Sequence, residues 1–241
     1  MNPDADEARQ LCVQAGHALW VAGQGDLVWG HVGVRDPLGR GVWIKTPGLG
    51  LEETTPEKIQ LVSFDAEVLE GKGSPHAECH IHLEILRSRP ELSCTVHTHA
   101  VASVAFAALD VPLLPLSHDG ALFGGADVPR FEPSGALISN PELGLRLAAT
   151  LDDSPGALLP AHGLVTAGPT GAAAVMYAVL LERACAMQLR AMPCGTPRAY
   201  PNRTEAAAKR FACWTPSQLD AGWAYLLRRT AQLRPALDTP I

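Results

Sequence analysis

Paired cysteines are missing from this sequence. Its six, Cys12, Cys79, Cys94, Cys185, Cys194 and Cys213, are scattered with no CxxC pair, so they read as reduced thiols that serve mostly in packing. The N-terminus also lacks the basic and apolar regions of a secretory signal, and the expectation is a cytoplasmic protein. Basic runs are missing as well. The 19 basic residues are outnumbered by 25 acidic ones, for a formal charge of −6, and form no stripe that would track phosphates; no nucleic-acid partner is expected. The most apolar long stretch, Gly171 to Met187, is interrupted by Glu182 and Arg183, whereas a membrane span wants about 20 residues with almost no charge. It reads as a buried helix, with no membrane partner. Internal repeats and low-complexity segments are absent too, so the 241 residues are read as one domain, in which 194–241 forms a tail that either packs back or reaches a neighbour.

What is present is an alternation of helical and extended patterns. Ala8, Leu11, Cys12, Ala15, Leu19 and Trp20 recur at helical spacing between Asp4 and Val21, and Gly23 and Gly25 then stop the helix. Short apolar runs flank Asp36-Pro37-Leu38-Gly39 and predict a hairpin within Leu27 to Lys45, followed by a short strand at Leu61 to Phe64. Ser74-Pro75 predicts a helix start, with serine capping free N–H groups and proline at the first helical position, and this helix should run to about Ser88. Ser93 to His99 alternates as a strand, and a helix should follow from Val101 to Leu109. Val111 to Pro133 reads as strands and loops, Leu143 to Leu151 as a helix, Ala157 to Val165 as a strand, Gly171 to Met192 as a long helix, and Pro216 to Arg229 as a short one. The alternation points to a layered α/β fold.

Chemistry concentrates at a few of these positions. Strand side chains alternate across a sheet, so His97 and His99 project from one face and both imidazoles can reach one ion. A pair of this kind is also compatible with histidines satisfied inside a core. His162, in Pro160-Ala161-His162-Gly163, sits where glycine allows a sharp turn at a strand end. As a third ligand it would leave an open position on the ion, which a catalytic site requires. Glu78 falls in the first turn of the helix begun by Ser74-Pro75, where the helix dipole alone would favour its charge.

The stretches Ser74-Pro75-His76-Ala77-Glu78, Ile81-His82-Leu83-Glu84-Ile85, Arg89-Pro90, Val96-His97-Thr98-His99 and His162-Gly163 resemble, in order and spacing, the class II aldolase/adducin family, over roughly Glu7 to Met192. The resemblance implies a three-layer α/β/α fold with a central, mainly antiparallel sheet, assembled as a homotetramer with active sites between neighbours. It further implies that His97, His99 and His162 bind one divalent metal, zinc first, with manganese, iron or cobalt as alternatives, and that Glu78 is the acid/base. Adducin-type members have lost such residues, and this chain keeps all four.

The sequence departs from the sugar-phosphate aldolases where those grip phosphate. Their Gly-Asn turn is similar to Gly30-His31 here, and their Pro-Ser-Ser-Glu stretch to Pro75-His76-Ala77-Glu78. Loss of the compact Asn and Ser donors should weaken phosphate recognition. Either the histidines fill space, or they line a flatter pocket for a carboxylate or aromatic ring; His31, His76 and Thr46 are the substrate-binding candidates. His118 lies near the position of the aldolases' tyrosine proton donor, judged by the Gly124-Gly125 that follows, with Asp119 to orient it. Arg198 or Arg203 from the tail of a neighbour is a further anchor for an anion.

The pattern is similar to branches that handle unphosphorylated, often aromatic, acids, among them the 3,4-dihydroxyphthalate decarboxylases and, more distantly, an iron-dependent oxygenase. The expected function is thus metal-dependent decarboxylation of an ortho-dihydroxy aromatic carboxylate, with Glu78 or His118 supplying the proton. Aldol cleavage of an unphosphorylated hydroxy-keto acid, iron-dependent oxygenation and a non-catalytic adducin-like module remain as alternatives.

Overall fold

The computed structural model describes residues 3–123, 126–132, 135 and 137–237. Among these, seven strands pair: β1 (His31–Arg35), β2 (Gly41–Lys45), β3 (Ile59–Ser63), β4 (Val68–Glu70), β5 (Cys94–Thr98), β6 (Gly156–Leu159) and β7 (Gly163–Gly168). They form one sheet in the order β4-β3-β2-β1-β5-β7-β6, with every neighbouring pair antiparallel. Strand alternation sends successive side chains to two separate cores. In β2, Trp43 enters the core shared with α1 (Pro3–Leu19) and α6 (Gly171–Ala191), while Val42 and Ile44 enter the core shared with α2 (Cys79–Ser88) and α5 (Pro141–Leu151). The result is the three-layer α/β/α arrangement with an antiparallel centre.

Several elements differ from their sequence patterns. The second helix begins at Cys79 rather than Pro75, and Ser74 does not cap it. Residues 76–78 instead form a turn in which the Cys79 N–H donates to the His76 carbonyl at 3.0 Å. Glu78 thereby becomes the residue before the first turn, and its carboxylate accepts from the Ile138 N–H at 2.9 Å instead of capping its own helix. The single strand expected over Ala157 to Val165 is a hairpin, β6 and β7, which folds at Pro160 to His162. The backbone turns through a left-handed Ala161 (φ 57°), not through Gly163.

After α3 (Val101–Ala107), the stretch read as strands and loops contains a one-turn helix, α4 (His118–Ala121); Gly124-Gly125 lie outside the described residues. The tail holds two helices where one was expected, α7 (Arg203–Cys213) and α8 (Pro216–Leu237), and it packs back on its own chain, α8 against α6 and α1, α7 against α4. The segment Gly171–Cys194 is long and apolar enough to cross a membrane by length and composition. In the structure its α6 portion is a core helix, with Ala174, Val175, Ala178 and Leu181 fully buried beneath the sheet.

Candidate metal centre

Three loops and strand ends converge at the edge of the α2 face of the sheet. His97 is the last residue but one of β5, His99 follows the strand directly, His162 comes from the β6–β7 turn, and Glu78 stands at the start of α2. One ligand atom from each of these four lies within 4.8 Å of the others. His97 Nε2 is 3.1 Å from His99 Nε2, His162 Nε2 is 3.4 Å from Glu78 Oε1, and His97 Nε2 is 3.9 Å from Glu78 Oε2. The approach depends on Gly163, because a Cβ there would run into the Thr98 carbonyl oxygen and sit 3.0 Å from His99 Cδ2 and 3.2 Å from His97 Cε1.

Outer partners set which nitrogen faces inward. His97 Nδ1 contacts the Leu164 carbonyl at 2.9 Å, an acceptor only, so Nδ1 carries the proton and Nε2 carries a lone pair. His99 Nδ1 meets the Asp26 carboxylate at 2.7 Å and is oriented in the same way. Burial first, then His162, holds the His97 pKa well below the usual imidazole value, so that ring is neutral. Its Nε2 lies 3.1 Å from the Nε2 of His99, and the buried His162 Nε2 has no hydrogen-bond partner. A shared cation satisfies all three nitrogens, and histidine rings pinned by carbonyl and carboxylate partners are the usual outer support of such a site. Burial raises the Glu78 pKa, but the close approach of His162 and His97 and the hydrogen bond from the Ile138 N–H outweigh it and bring the pKa down to about 2, so the carboxylate is ionised. Three imidazole nitrogens and one carboxylate suit a divalent ion.

The other sequence-based candidates are placed unevenly. His31 stands opposite His97 across the β1–β5 pair, is buried, and contacts the rings of His97 and His76 at 5.0 and 4.0 Å. Burial, with His76, His82 and His97 around it, keeps its pKa well below the ordinary value. His76 is half-buried, and its Nδ1 accepts from the Glu78 N–H at 3.3 Å; its pKa falls to about 4, mainly through burial. Thr46 follows β2, with its N–H bonded to the Lys58 carbonyl at 2.8 Å. His118 is not brought to the cluster within one chain. It is exposed, its Nδ1 lies 3.4 Å from Cys213 Sγ, its carbonyl accepts from Trp214, and Asp119 pairs with Arg183 instead of orienting it. Arg198 and Arg203 are exposed.

Sequence reasoning missed three supports. Asp26 sits in a turn, where aspartate is ordinary. Lys45 is buried at the end of β2, and its ammonium donates to the carbonyls of Val28 at 2.7 Å and Leu49 at 2.6 Å, which fastens the loop carrying Asp26. His82 turns into the sheet over Gly33, where a Cβ would lie 2.5 Å from its ring. Arg35, the last residue of β1, closes the far end of α2 by donating to the carbonyls of Leu86, Arg89 and Leu92.

Comparison with known proteins identifies the family. Residues 10–189 match the family model for the class II aldolase and adducin N-terminal domain. The chain is 30% identical over 203 residues to the 3,4-dihydroxyphthalate decarboxylase of Terrabacter sp., an alignment covering 79% of this chain and 84% of that one. It is 33% identical over 163 residues to the meiotically up-regulated gene 14 protein of Schizosaccharomyces pombe, covering 66% of this chain but only 63% of that relative's length. Among solved structures, an L-fuculose 1-phosphate aldolase from Glaciozyma antarctica superposes with a TM-score of 0.83 at 25% identity, covering 96% of this chain and 91% of that one. The chain belongs to the class II aldolase and adducin family.

Proposed function

We propose that the protein is a divalent-metal-dependent carbon–carbon lyase that decarboxylates an ortho-dihydroxy aromatic carboxylate. The observation that carries this reading is the convergence of Glu78, His97, His99 and His162, with the Nδ1 atoms of His97 and His99 tied to outer partners. The replacement of phosphate-gripping Asn and Ser types by His31, His76 and Ala77 supports an unphosphorylated substrate. So does the similarity to a decarboxylase of a dihydroxylated aromatic acid.

His97, His99 and His162 hold the ion, zinc first among the candidates for a set of three imidazole nitrogens, with manganese, iron or cobalt as alternatives. A bound divalent ion supplies Lewis-acid stabilisation of the electron pair left when carbon dioxide departs. Glu78, ionised at rest, takes a proton from a substrate hydroxyl. The bond between the ring carbon and the carboxylate carbon then breaks, its electron pair stays on the ring, and Glu78 returns the proton to that carbon. His31, His76 and Thr46 line the substrate side. His118, exposed and away from its own cluster, serves a neighbouring chain's site in a homotetramer, and Arg198 or Arg203 anchors the anion from the same direction.

A second reading, aldol cleavage, is favoured by the close superposition on an aldolase, because that reaction also leaves an electron pair that a bound divalent ion would stabilise. The deciding experiment offers the metal-loaded protein catechol carboxylates and fuculose 1-phosphate-type sugar phosphates side by side. Carbon dioxide release without oxygen uptake is expected. Efficient sugar-phosphate cleavage with no carbon dioxide from any catechol acid would restore the aldolase, and stoichiometric oxygen consumption would indicate an oxygenase.

A further inference from the structure

A chain of polar groups runs behind the metal centre and ends on an unpaired nitrogen. The Thr95 hydroxyl reaches the Gly33 carbonyl at 3.4 Å and His82 Nδ1 at 2.6 Å; His82 Nε2 reaches His31 Nδ1 at 2.5 Å. His31 Nε2 is buried and has no partner. The direction of the chain follows from its far end. A carbonyl can only accept, and the hydroxyl has one proton, so all three contacts are hydrogen bonds only if Thr95 donates to Gly33. His82 then donates from Nδ1 and accepts at Nε2, His31 donates from Nδ1, and the lone pair of His31 is left on Nε2. The opposite direction forfeits the Gly33 contact. A neutral imidazole has one proton to place, and a second proton on His31 would sit on a buried Nε2 that has no acceptor.

His76 is set the other way. Its Nδ1 accepts from the Glu78 N–H, which leaves its proton on Nε2, and its ring centroid lies 4.0 Å from that of His31. Beside the metal centre there are thus two adjacent imidazoles of opposite polarity, one offering a lone pair and one an N–H.

We propose that His31 and His76 form an acceptor–donor pair that reads a hydroxyl next to a carboxylate on the substrate ring, with Thr95 and His82 as positioning residues that hold the tautomer of His31. The dianion of a phosphate ester, its main form at about pH 7, offers no hydroxyl proton on the group that bears the charge and satisfies only half of the pair. This inference rests on the reading of the site as one for an unphosphorylated hydroxy acid and names the two groups it recognises.

The test begins on the resting, zinc-loaded protein, with ¹⁵N-histidine NMR assigned by the loss of one ring in His31→Phe. The expected result is an unprotonated His31 Nε2; a protonated Nε2 would overturn the inference. Calorimetry then compares salicylate with 2-methoxybenzoate, which keeps the carboxylate and removes the hydroxyl proton. One neutral hydrogen bond corresponds to roughly 3–10-fold in affinity. The wild-type preference for salicylate should fall by about that factor in His31→Phe and, through a mixed His31 tautomer, in Thr95→Val, with metal content unchanged. An undiminished preference in a metal-replete His31→Phe would also overturn it. If that variant does not fold, the wild-type tautomer decides, assigned through the shifts that Thr95→Val causes. A protein with the expected tautomer and salicylate preference that releases no carbon dioxide from any dihydroxy acid supports this pair while refuting the decarboxylase.

Discussion

The Nδ1 of His99 lies 2.7 Å from the carboxylate of Asp26, and this contact turns the Nε2 of His99 toward His97. Removal of an outer partner of this kind costs a metal-binding histidine about 10–100-fold in metal affinity. Asp26→Ala should therefore weaken metal binding by that factor, while turnover at saturating metal falls less. Competition against a chelator of known affinity measures it; unchanged affinity would show that the Asp26 contact is incidental.

Gly163→Ala should damage the same centre by a steric route. The added methyl meets a backbone carbonyl, that of Thr98, which cannot swing aside as a side chain can. Overpacking of this type destabilises by about 1–3 kcal/mol, and the shift falls on the strand end that carries His97 and His99. Denaturant unfolding and metal content, read together, should both decline. A variant with full stability and full metal content would contradict the packing described.

Glu78→Gln keeps the shape and an oxygen to accept from the Ile138 N–H but cannot carry a proton back and forth. Metal should be retained and turnover should fall by about 10²–10⁴-fold, the usual range for a lost proton-transfer group. Loss of metal, with activity recovered by added ion, would make Glu78 chiefly a ligand.

Lys45 gives a pH dependence with a defined sign. Burial is the main cause that lowers its pKa from 10.5 to about 8, against the opposing pull of Cys12, Glu53 and Glu52. Between those values the unfolded chain binds more protons than the folded one, so this group makes stability rise with pH from about 8 toward 10.5. The melting temperature of the wild type minus that of Lys45→Met should grow as the pH is raised across that window. A difference that shrinks would mean the ammonium is stabilised where it sits.

The hairpin at Asp36 to Gly39, the strand carrying His97 and the long helix from Gly171 were legible because period-2 and period-3.6 patterns report burial directly. The tail helix at Arg203 was legible in principle: Asn202 and Glu205 form a capping box, a signal carried by two residues three apart. The start of α2 was misread because a Ser-Pro start signal was outweighed by a tertiary contact, Glu78 to Ile138, between residues far apart in the chain. The same reason hid the roles of Asp26, Lys45 and His82. Each is defined by a partner on another element, and nothing local separates a turn aspartate or a helix histidine from one that orients a neighbour. His118 shows the converse, since its position depends on how α4 meets the tail, at Cys213 and Trp214.

The central claim, that His97, His99 and His162 hold one divalent ion, is tested most directly by metal stoichiometry. Elemental analysis of the purified chain, and of His97→Ala, His99→Ala and His162→Ala, should find one ion per chain in the wild type and a large loss in each variant that remains folded by circular dichroism. A wild type that takes up no stoichiometric ion from zinc, manganese, iron or cobalt, or three folded variants that keep it, would contradict the account.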